Sequence, residues 1–293
     1  MTIKKILVPV DFSERSRLGL EHADAVAQRF GSSLILQHVV PPAPYEYAAI
    51  DEGFAVPGSS PPLEQLTSEL EERMTRLLEG VRPRAAVEKS IVHGDPAGEI
   101  VAVANRVDVD MVAMPTHGYG MFRRFALGSV TTKVLHDTET PVLTGTHVPE
   151  LTPLDPEPYK RIACAIDLDP HSEETLWWAS KFSKACADDL VVIHAAPAVA
   201  PIAVYGEWVP PDARTQVIDQ ARVEIDRLLK KVGCQAQVVI DAAGPLDLIP
   251  SATEQNYADI LVIGRSQHAG LLPGLRAHAG AIIRESPCPV ISI

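Results

Sequence analysis

Basic residues are in the minority in this sequence. Its 26 Lys and Arg residues face 38 Asp and Glu residues, which gives a formal net charge of −12 at pH 7. Binding to nucleic acid or to an anionic membrane surface relies on clustered Lys and Arg that neutralise phosphate groups. The acidic balance therefore argues against both kinds of partner, and solubility is the simplest reason for it.

Long apolar runs and paired cysteines are also missing. No apolar stretch approaches the ~20 residues that a membrane-spanning helix needs, and the opening MTIKKILVPVD has too short an apolar core for a signal peptide. Cys164, Cys186, Cys234 and Cys288 form no CxxC pair, so we expect the reduced thiols of a cytoplasmic protein. The histidines form no i, i+4 pair of the kind found in zinc sites, so we expect no metal site.

What the sequence does contain is a long internal repeat. Its 293 residues and 46% hydrophobic content are typical of a globular protein of about two domains. The stretch KKILVPVDFSERSRLGLEHADAVAQRFGSSLILQHVV is echoed by KRIACAIDLDPHSEETLWWASKFSKACADDLVVIHAA, and VDVDMVAMPTHG by NYADILVIGRSQ. The copies meet in THVPELTPLDPEPY, which is rich in Pro and acid and predicts a linker. We therefore predict domains at 1–147 and 159–293, joined by a linker at 148–158.

Within each copy, apolar runs alternate with helical patterns. In the first copy we predict strands at 4–10, 33–40, 86–93, 110–116 and 141–146, and helices at 14–30, 62–80, 97–107 and 129–138. Ser13 is expected to cap the first helix, Gly31 to close it, and Pro96 to stand in the first turn of the third. The segment 41–62 breaks the pattern and predicts a long loop. Because the strands are continuously apolar and alternate with helices, each copy is predicted to be α/β, with a doubly wound parallel five-stranded sheet.

Two glycine sites in MPTHGYGMFRRFALGS follow the fourth predicted strand and open the fourth predicted helix. Ligands of open parallel sheets bind beyond the carboxyl ends of the strands where the strand order reverses, and Asp11, after the first strand, is expected at the same crevice. Gly118 permits positive φ and a close approach of backbone N–H groups to an anion. At Gly128-Ser129, the unpaired N–H groups and the dipole of a helix start attract phosphate. Two such donor clusters could grip successive phosphates.

These segments, together with ILVPVDFSE, HGDPAGEI and the strand PVL, resemble the universal stress protein family. The resemblance covers nearly the whole chain, as two tandem copies, and implies a Rossmann-like fold of the adenine nucleotide alpha hydrolase-like type. The nucleotide motif of the family is Gly, two residues, Gly, nine residues, then Gly-Ser or Gly-Thr. The resemblance also implies that the last strands, PVLTGT and PVISI, pair the two halves as a pseudo-dimer. A further homodimer is left open.

The resemblance implies ATP bound in the first copy. The implied ligand-binding residues are Pro9, Val10, Asp11, Val39, Pro115, Thr116, His117, Gly118, Gly128, Ser129 and Val130. The end of the first strand would hold the adenine and ribose side, and Val39 would pack on the adenine. Residues 117–118 would meet the phosphates or the ribose, and residues 128–130 the β- and γ-phosphates. Asp11 is also a candidate to bind a magnesium ion attached to ATP.

The sequence departs from the motif at three places. Pro115 stands at the first Gly, and if its amide faced the phosphates, the missing N–H would cost about 1–3 kcal/mol. If the Gly serves only close backbone approach, proline is tolerated, and we favour this interpretation. In the second copy Gln267 and Ala277-His278 replace the second Gly and the Gly-Ser pair. We expect that copy to have lost the ATP site and to serve an architectural role or another ligand.

Each candidate residue also has a purely structural explanation. Asp11 can cap the first helix, and Gly118 and Gly128 can be ordinary turn and cap glycines. Ser129 can cap the fourth helix and still contact a phosphate. His117 can be a structural residue at a strand end.

No catalytic constellation accompanies the motif. There is no nucleophile elbow, no Walker sequence with its Lys and no defensible carboxylate pair, so slow ATP hydrolysis is the most that we expect. We predict a cytoplasmic protein that binds ATP in its first copy and acts as a nucleotide-linked stress-response or signalling module, with a protein partner that is unknown. The alternatives are an interaction scaffold whose pockets bind no nucleotide, and an enzyme of the related nucleotide-binding α/β folds.

Overall fold

The computed structural model describes residues 1–42, 63–115, 127–145, 159–186, 189–196, 212–265 and 278–293. The chain divides into two compact units, Thr2–Thr144 and the described residues of Leu154–Ile293. The predicted linker at 148–158 and most of the predicted loop at 41–62 lie outside the described residues. The predicted limits of the domains therefore stay predictions, and so does the predicted pairing of the last strands.

Strands and helices alternate along the described part of the first unit. The strands are β1 (Lys5–Pro9), β2 (Ser33–Val40), β3 (Val87–His93), β4 (Met111–Pro115) and β5 (Val142–Gly145). The helices are α1 (Glu14–Phe30), α2 (Leu63–Val81), α3 (Pro96–Arg106) and α4 (Ser129–Asp137). Each of these elements was predicted from the sequence, and its two ends differ from the prediction by at most about one residue.

The strands of the first unit form a sheet in the order β3-β2-β1-β4-β5. β1 runs parallel to both β2 and β4, so that Leu7 lies opposite Ile35 on one side and Val112 on the other. From β1 the chain first builds outward to β3 and then crosses to β4 and β5. The strand order therefore reverses between β1 and β4, and the predicted doubly wound α/β fold is confirmed.

The second unit repeats this architecture. Its strands are β6 (Arg161–Ala165), β7 (Asp189–Ala195), β8 (Gln237–Asp241), β9 (Ile260–Ile263) and β10 (Val290–Ser292), in the order β8-β7-β6-β9-β10. Its helices are α5 (Ser172–Cys186), α6 (Ala213–Val232), α7 (Pro245–Gln255) and α8 (Ala279–Glu285). The strand pairs β6-β7, β7-β8, β6-β9 and β9-β10 are parallel. The reversal point in this unit lies between β6 and β9.

The repeat extends to individual hydrogen bonds. In the first unit Asp110 Oδ2 accepts bonds from the two N–H groups that lead into β1, at 2.7 and 3.0 Å. In the second unit Asp259 Oδ2 accepts bonds from the two N–H groups that lead into β6, at 2.8 Å each. Equivalent residues before β4 and β9 also share a left-handed backbone, with φ of 52° at Asp108 and 51° at Tyr257. The two units are thus copies in detail as well as in topology.

The helix ends follow the predicted chemistry. Ser13 Oγ accepts a bond from the N–H of Ser16 at 3.2 Å, and Gly31 closes α1 with a φ of 69°. Pro96 is the first residue of α3, where a missing N–H breaks no helical bond. The helix signals predicted at Ser13, Gly31 and Pro96 are confirmed.

Apolar packing covers the sheet faces. Between the first sheet and helices α3 and α4 lies a cluster that includes Leu7, Ile35, Val39, Ala97, Ile100, Val112, Met114, Val134 and Val142. In the second unit Trp178 is buried and stacks on Phe182 at 5.2 Å between ring centroids, whereas the adjacent Trp177 is exposed. The cysteines are free thiols, and all but Cys234 are buried. Among the described residues, no helix has the length and apolar character to cross a bilayer.

Gly31 and Gly80 differ in backbone conformation but both have free space around them. A Cβ added at either position meets no atom within 4 Å, but only Gly31 has a positive φ. Gly31→Ala should destabilise the protein by about 1 kcal/mol, because L-residues resist the left-handed region. Gly80→Ala, inside α2, should stabilise it by about 0.5 kcal/mol through helix propensity. Urea unfolding of both variants measures the difference, and equal effects would contradict the account.

His22 should make stability depend on pH. It is buried on α1, and this burial lowers the pKa of its imidazole from 6.5 to about 4. The unfolded chain takes up this proton at higher pH than the native state does, so stability present above pH 6.5 is lost as the pH falls towards 4. His22→Leu should remove about 3 kcal/mol of that loss. An unchanged pH dependence of the unfolding free energy in this variant would refute the assignment.

Candidate functional site

The predicted strand-end residues meet at the carboxyl edge of the first sheet, where the strand order reverses. Pro9 ends β1 and is followed by Val10 and Asp11, while Pro115 ends the neighbouring β4. Val39 lies near the end of β2, on the other side of β1, and its side chain packs into the apolar cluster under α3 and α4. This edge is the place where open parallel sheets bind ligands.

Asp11 is tied into the start of α1. Its Oδ1 accepts bonds from the N–H of Ser13 at 3.0 Å, from Ser13 Oγ at 2.6 Å and from Ser16 Oγ at 2.5 Å. Three donors on one oxygen hold the carboxylate in a fixed orientation. The geometry therefore shows the structural role of Asp11 at the helix start, and a ligand would meet a carboxylate that is already oriented. Its role as a magnesium ligand stays a prediction.

The main chain of Val10 is engaged on both sides. Its N–H donates to the carbonyl of Gln37 at 2.8 Å, and its carbonyl lies 2.8 Å from Nδ1 of His38. Since a carbonyl only accepts, Nδ1 of His38 carries a proton. Burial lowers the pKa of His38, so the ring is neutral at pH 7. The N–H of Val10 is therefore not available to a ligand, which would contact Val10 through its side chain or its carbonyl oxygen.

The residue after Asp11 is held in a strained conformation. Phe12 has a φ of 64°, in the left-handed region that costs a non-glycine residue about 1–2 kcal/mol. Its ring packs on His38 at 4.6 Å between centroids, and the guanidinium of Arg73 lies 4.2 Å from the ring centroid. Leu168, the equivalent residue of the second unit, has a φ of 60°. The strained turn belongs to both copies, whereas the ring stack belongs to the first, since leucine has no ring.

Pro115 faces helix α1. A Cβ built on Gly19 would lie 3.6 Å from Cδ of Pro115 and 3.7 Å from its nitrogen. Proline Cδ stands where an amide hydrogen would stand, so the missing N–H would point towards α1. The carbonyl of Pro115 accepts a bond from Oγ1 of Thr131 at 3.0 Å, which joins the end of β4 to the first turn of α4. Sequence reasoning missed this role of Thr131, although a Thr in the first turn of a helix is a recognisable anchor.

The start of α4 has N–H groups and no side-chain cap. Gly128 is the cap residue, makes no side-chain bond, and precedes a first turn without acidic residues. The first helical bond runs from the N–H of Thr132 to the carbonyl of Gly128 at 2.9 Å, so the N–H groups of Ser129 and Val130 come before it. Such a helix start attracts anions. Thr116, His117 and Gly118, the other predicted donors, lie outside the described residues.

The same edge of the second unit is built differently. A crevice at this edge is lined, among the described residues, by Ala165, Ile166, Asp167, Asp169, Ser172, Thr175 and Gly264. Asp169 Oδ1 accepts bonds from Ser172 Oγ at 2.9 Å and from the N–H of His171 at 3.1 Å. Helix α8 has 7 residues and begins after His278. The predicted loss of the ATP site in this copy stays a prediction.

The fold and the position of the crevice define a class: a tandem α/β protein with two doubly wound sheets, each with a crevice at its reversal point. The chain belongs to the universal stress protein family, whose model matches residues 2–144 and 158–293. The family resemblance expected from the sequence is thereby confirmed.

Individual relatives match one copy or both. Universal stress protein MJ0577 of Methanocaldococcus jannaschii is 31% identical over 150 residues, which are 48% of this chain and 93% of that protein. A universal stress protein structure from Archaeoglobus fulgidus DSM 4304 covers 99% of this chain and 96% of its own, with 21% identity and a TM-score of 0.68, and shares the fold. Another, solved in complex with cAMP, is 22% identical over 48% of this chain and 95% of its own, with a TM-score of 0.32. In that structure cAMP is bound to the other protein.

The packing of Pro115 against Gly19 can be tested by exchanging the residues between units. The second unit holds Thr175 and Gly264 where the first holds Gly19 and Pro115, and both line its crevice. Gly19→Thr should destabilise the first unit by about 1–3 kcal/mol through overpacking against the proline ring. Adding Pro115→Gly should recover at least about 1 kcal/mol, as a positive coupling in a double-mutant cycle of unfolding free energies. Additive effects would show that the two positions do not pack together.

Proposed function

We propose that the first unit binds ATP at the crevice between the carboxyl ends of β1 and β4. In this proposal the chain acts as a nucleotide-linked stress-response or signalling protein. Family membership favours the proposal, and one observation carries it. Helix α4 starts at that edge with a glycine cap, no side-chain cap bond and no acidic residue in its first turn.

The phosphates would lie at the start of α4. A glycine at position 128 leaves room for an anion where a side chain would stand, and the N–H groups of Ser129 and Val130 point out of the helix start. Ser129 is exposed, so its hydroxyl is available as a further donor. Gly118 and His117 would complete the phosphate contacts, as the family motif implies.

The adenine and ribose would lie at the end of β1. Asp11 is fixed there by three donors, so a ribose hydroxyl would meet a carboxylate that loses little freedom on binding. Val10 and Val39 lie beside it with 6% and 8% of their surface exposed, and would contact the adenine side as the family resemblance implies. Pro115 does not weigh against the proposal, because its ring faces α1 and removes no donor from the crevice.

The test is a calorimetric titration of ATP into nucleotide-free protein. We expect one ATP per chain, and no measurable binding by Gly128→Glu, because a carboxylate at the helix start repels phosphate and occupies its place. The matched control is Ala277→Glu at the corresponding motif position of the second copy, which should leave ATP binding unchanged. Urea unfolding of both variants checks that each is folded.

The remaining outcomes decide between the alternative functions. Absence of binding at millimolar ATP would contradict the proposal and favour the interaction scaffold. Turnover of many ATP per minute would favour an enzyme, since we expect slow hydrolysis at most. The pairing of the two halves through their last strands and the formation of a homodimer stay predictions.

A further inference from the structure

An ion pair joins the start of helix α3 to helix α4. Nζ of Lys133 lies 2.8 Å from Oδ2 of Asp95. The same Oδ2 accepts a bond from the N–H of Gly98 at 3.0 Å, so Asp95 is also the cap of α3. Both side chains are about half exposed, at 54% and 56%. Exposed pairs of this kind are weak, and a competing anion can replace the carboxylate.

The position of Lys133 places its ammonium group towards the start of α4. Lys133 follows Ser129 by four residues, so both side chains lie on one face of the helix. Side chains in a helix lean towards its N-terminus. The contact with Asp95, which caps the neighbouring helix, shows that the ammonium group reaches the carboxyl edge of the sheet. The terminal phosphates proposed above would lie at that edge.

The second unit has the same fold but lacks the residues of this ion pair. Pro96 and Pro245 both open the helix after the third strand of their unit, so Gly244 occupies the position of Asp95. The position of Lys133 holds Ala281 when the last helices are aligned at their ends, Thr138 and Ser286, and Ile282 when they are aligned at the phosphate motif; neither residue is basic. Both partners are therefore replaced in the unit that lacks the Gly-Ser pair. The fold forms without the ion pair, and the pair accompanies the phosphate motif.

We propose that Lys133 binds the terminal phosphates of ATP and that Asp95 holds it in position before the nucleotide arrives. Lys133 thereby selects a triphosphate over a monophosphate, which would not extend to it. This inference rests on the ATP site proposed above. When the ammonium group of Lys133 moves from Asp95 to the phosphates, no buried charge is left behind, because Asp95 is exposed and keeps its bond to Gly98. Lys133 is then a specificity residue, and Asp95 is the carboxylate that holds the ammonium group in the free protein and competes with the phosphates for it.

The experiment measures ATP and AMP binding by calorimetry in the full chain. Lys133→Met should weaken ATP binding about tenfold, the range of a charge-assisted hydrogen bond, and change AMP binding less than about twofold. Asp95→Asn keeps a capping side chain but removes the charge, so it should strengthen ATP binding about threefold. Lys231→Met is the matched control, because Lys231 is an exposed lysine paired with Glu173 in the second unit. It should change neither affinity.

The outcomes distinguish this inference from the proposed function. ATP binding that is the same in Lys133→Met and in the unmodified chain overturns the role of Lys133 and leaves the ATP site standing. Equal losses of ATP and AMP affinity also overturn it, because they indicate a general structural effect. No ATP binding by the unmodified chain overturns both. A loss confined to ATP, together with a gain in Asp95→Asn, supports the inference.

Discussion

The reversal of strand order between β1 and β4 is the constraint on which the candidate site depends. In a parallel sheet every strand ends at the same edge, and the helices that follow β1 and β4 leave to opposite faces. The backbone between them opens into a crevice that no strand covers. Asp11 and the start of α4 lie at this crevice because the topology brings them there, although Asp11 and Gly128 are 117 positions apart in the sequence. Side-chain chemistry then decides what the crevice can hold.

The two copies share one architecture but differ at the carboxyl edge of the sheet. Both have a residue with positive φ in the turn after the first strand, Phe12 or Leu168. In both, a histidine of the second strand also bonds to the carbonyl of the residue two positions before that strained residue. The strand-to-helix turn is therefore a feature of the fold. The differences concentrate at the carboxyl edge. The first unit has the small Gly19 against the larger Pro115, whereas the second has the larger Thr175 and the small Gly264 at these positions. The ion pair between α3 and α4 is also absent from the corresponding positions of the second unit. We infer that the first copy is specialised for a ligand and that the second has departed from that specialisation.

The fold was largely predictable from the sequence, and the candidate site was predictable only in part. Apolar runs and cap residues such as Ser13 and Gly31 report local physics, so they place strands and helices within about one residue. The direction of the Pro115 ring depends on a helix that packs against it from 96 positions away. The bond of Thr131 to the end of β4 and the pairing of Lys133 with Asp95 are likewise tertiary. Periodicity and spacing carry no information on such contacts.

Backbone N–H groups at the start of α4 are the central element of this account, and their chemical environment can be observed directly. Two-dimensional NMR of ¹⁵N-labelled protein follows the amide signals of Val130 and Thr131 during titration with ATP and, separately, with adenosine. The account predicts that these signals shift with ATP in a saturable manner and change little with adenosine, which has no phosphate. Signals that stay in place at saturating ATP, or that respond equally to adenosine, would contradict it.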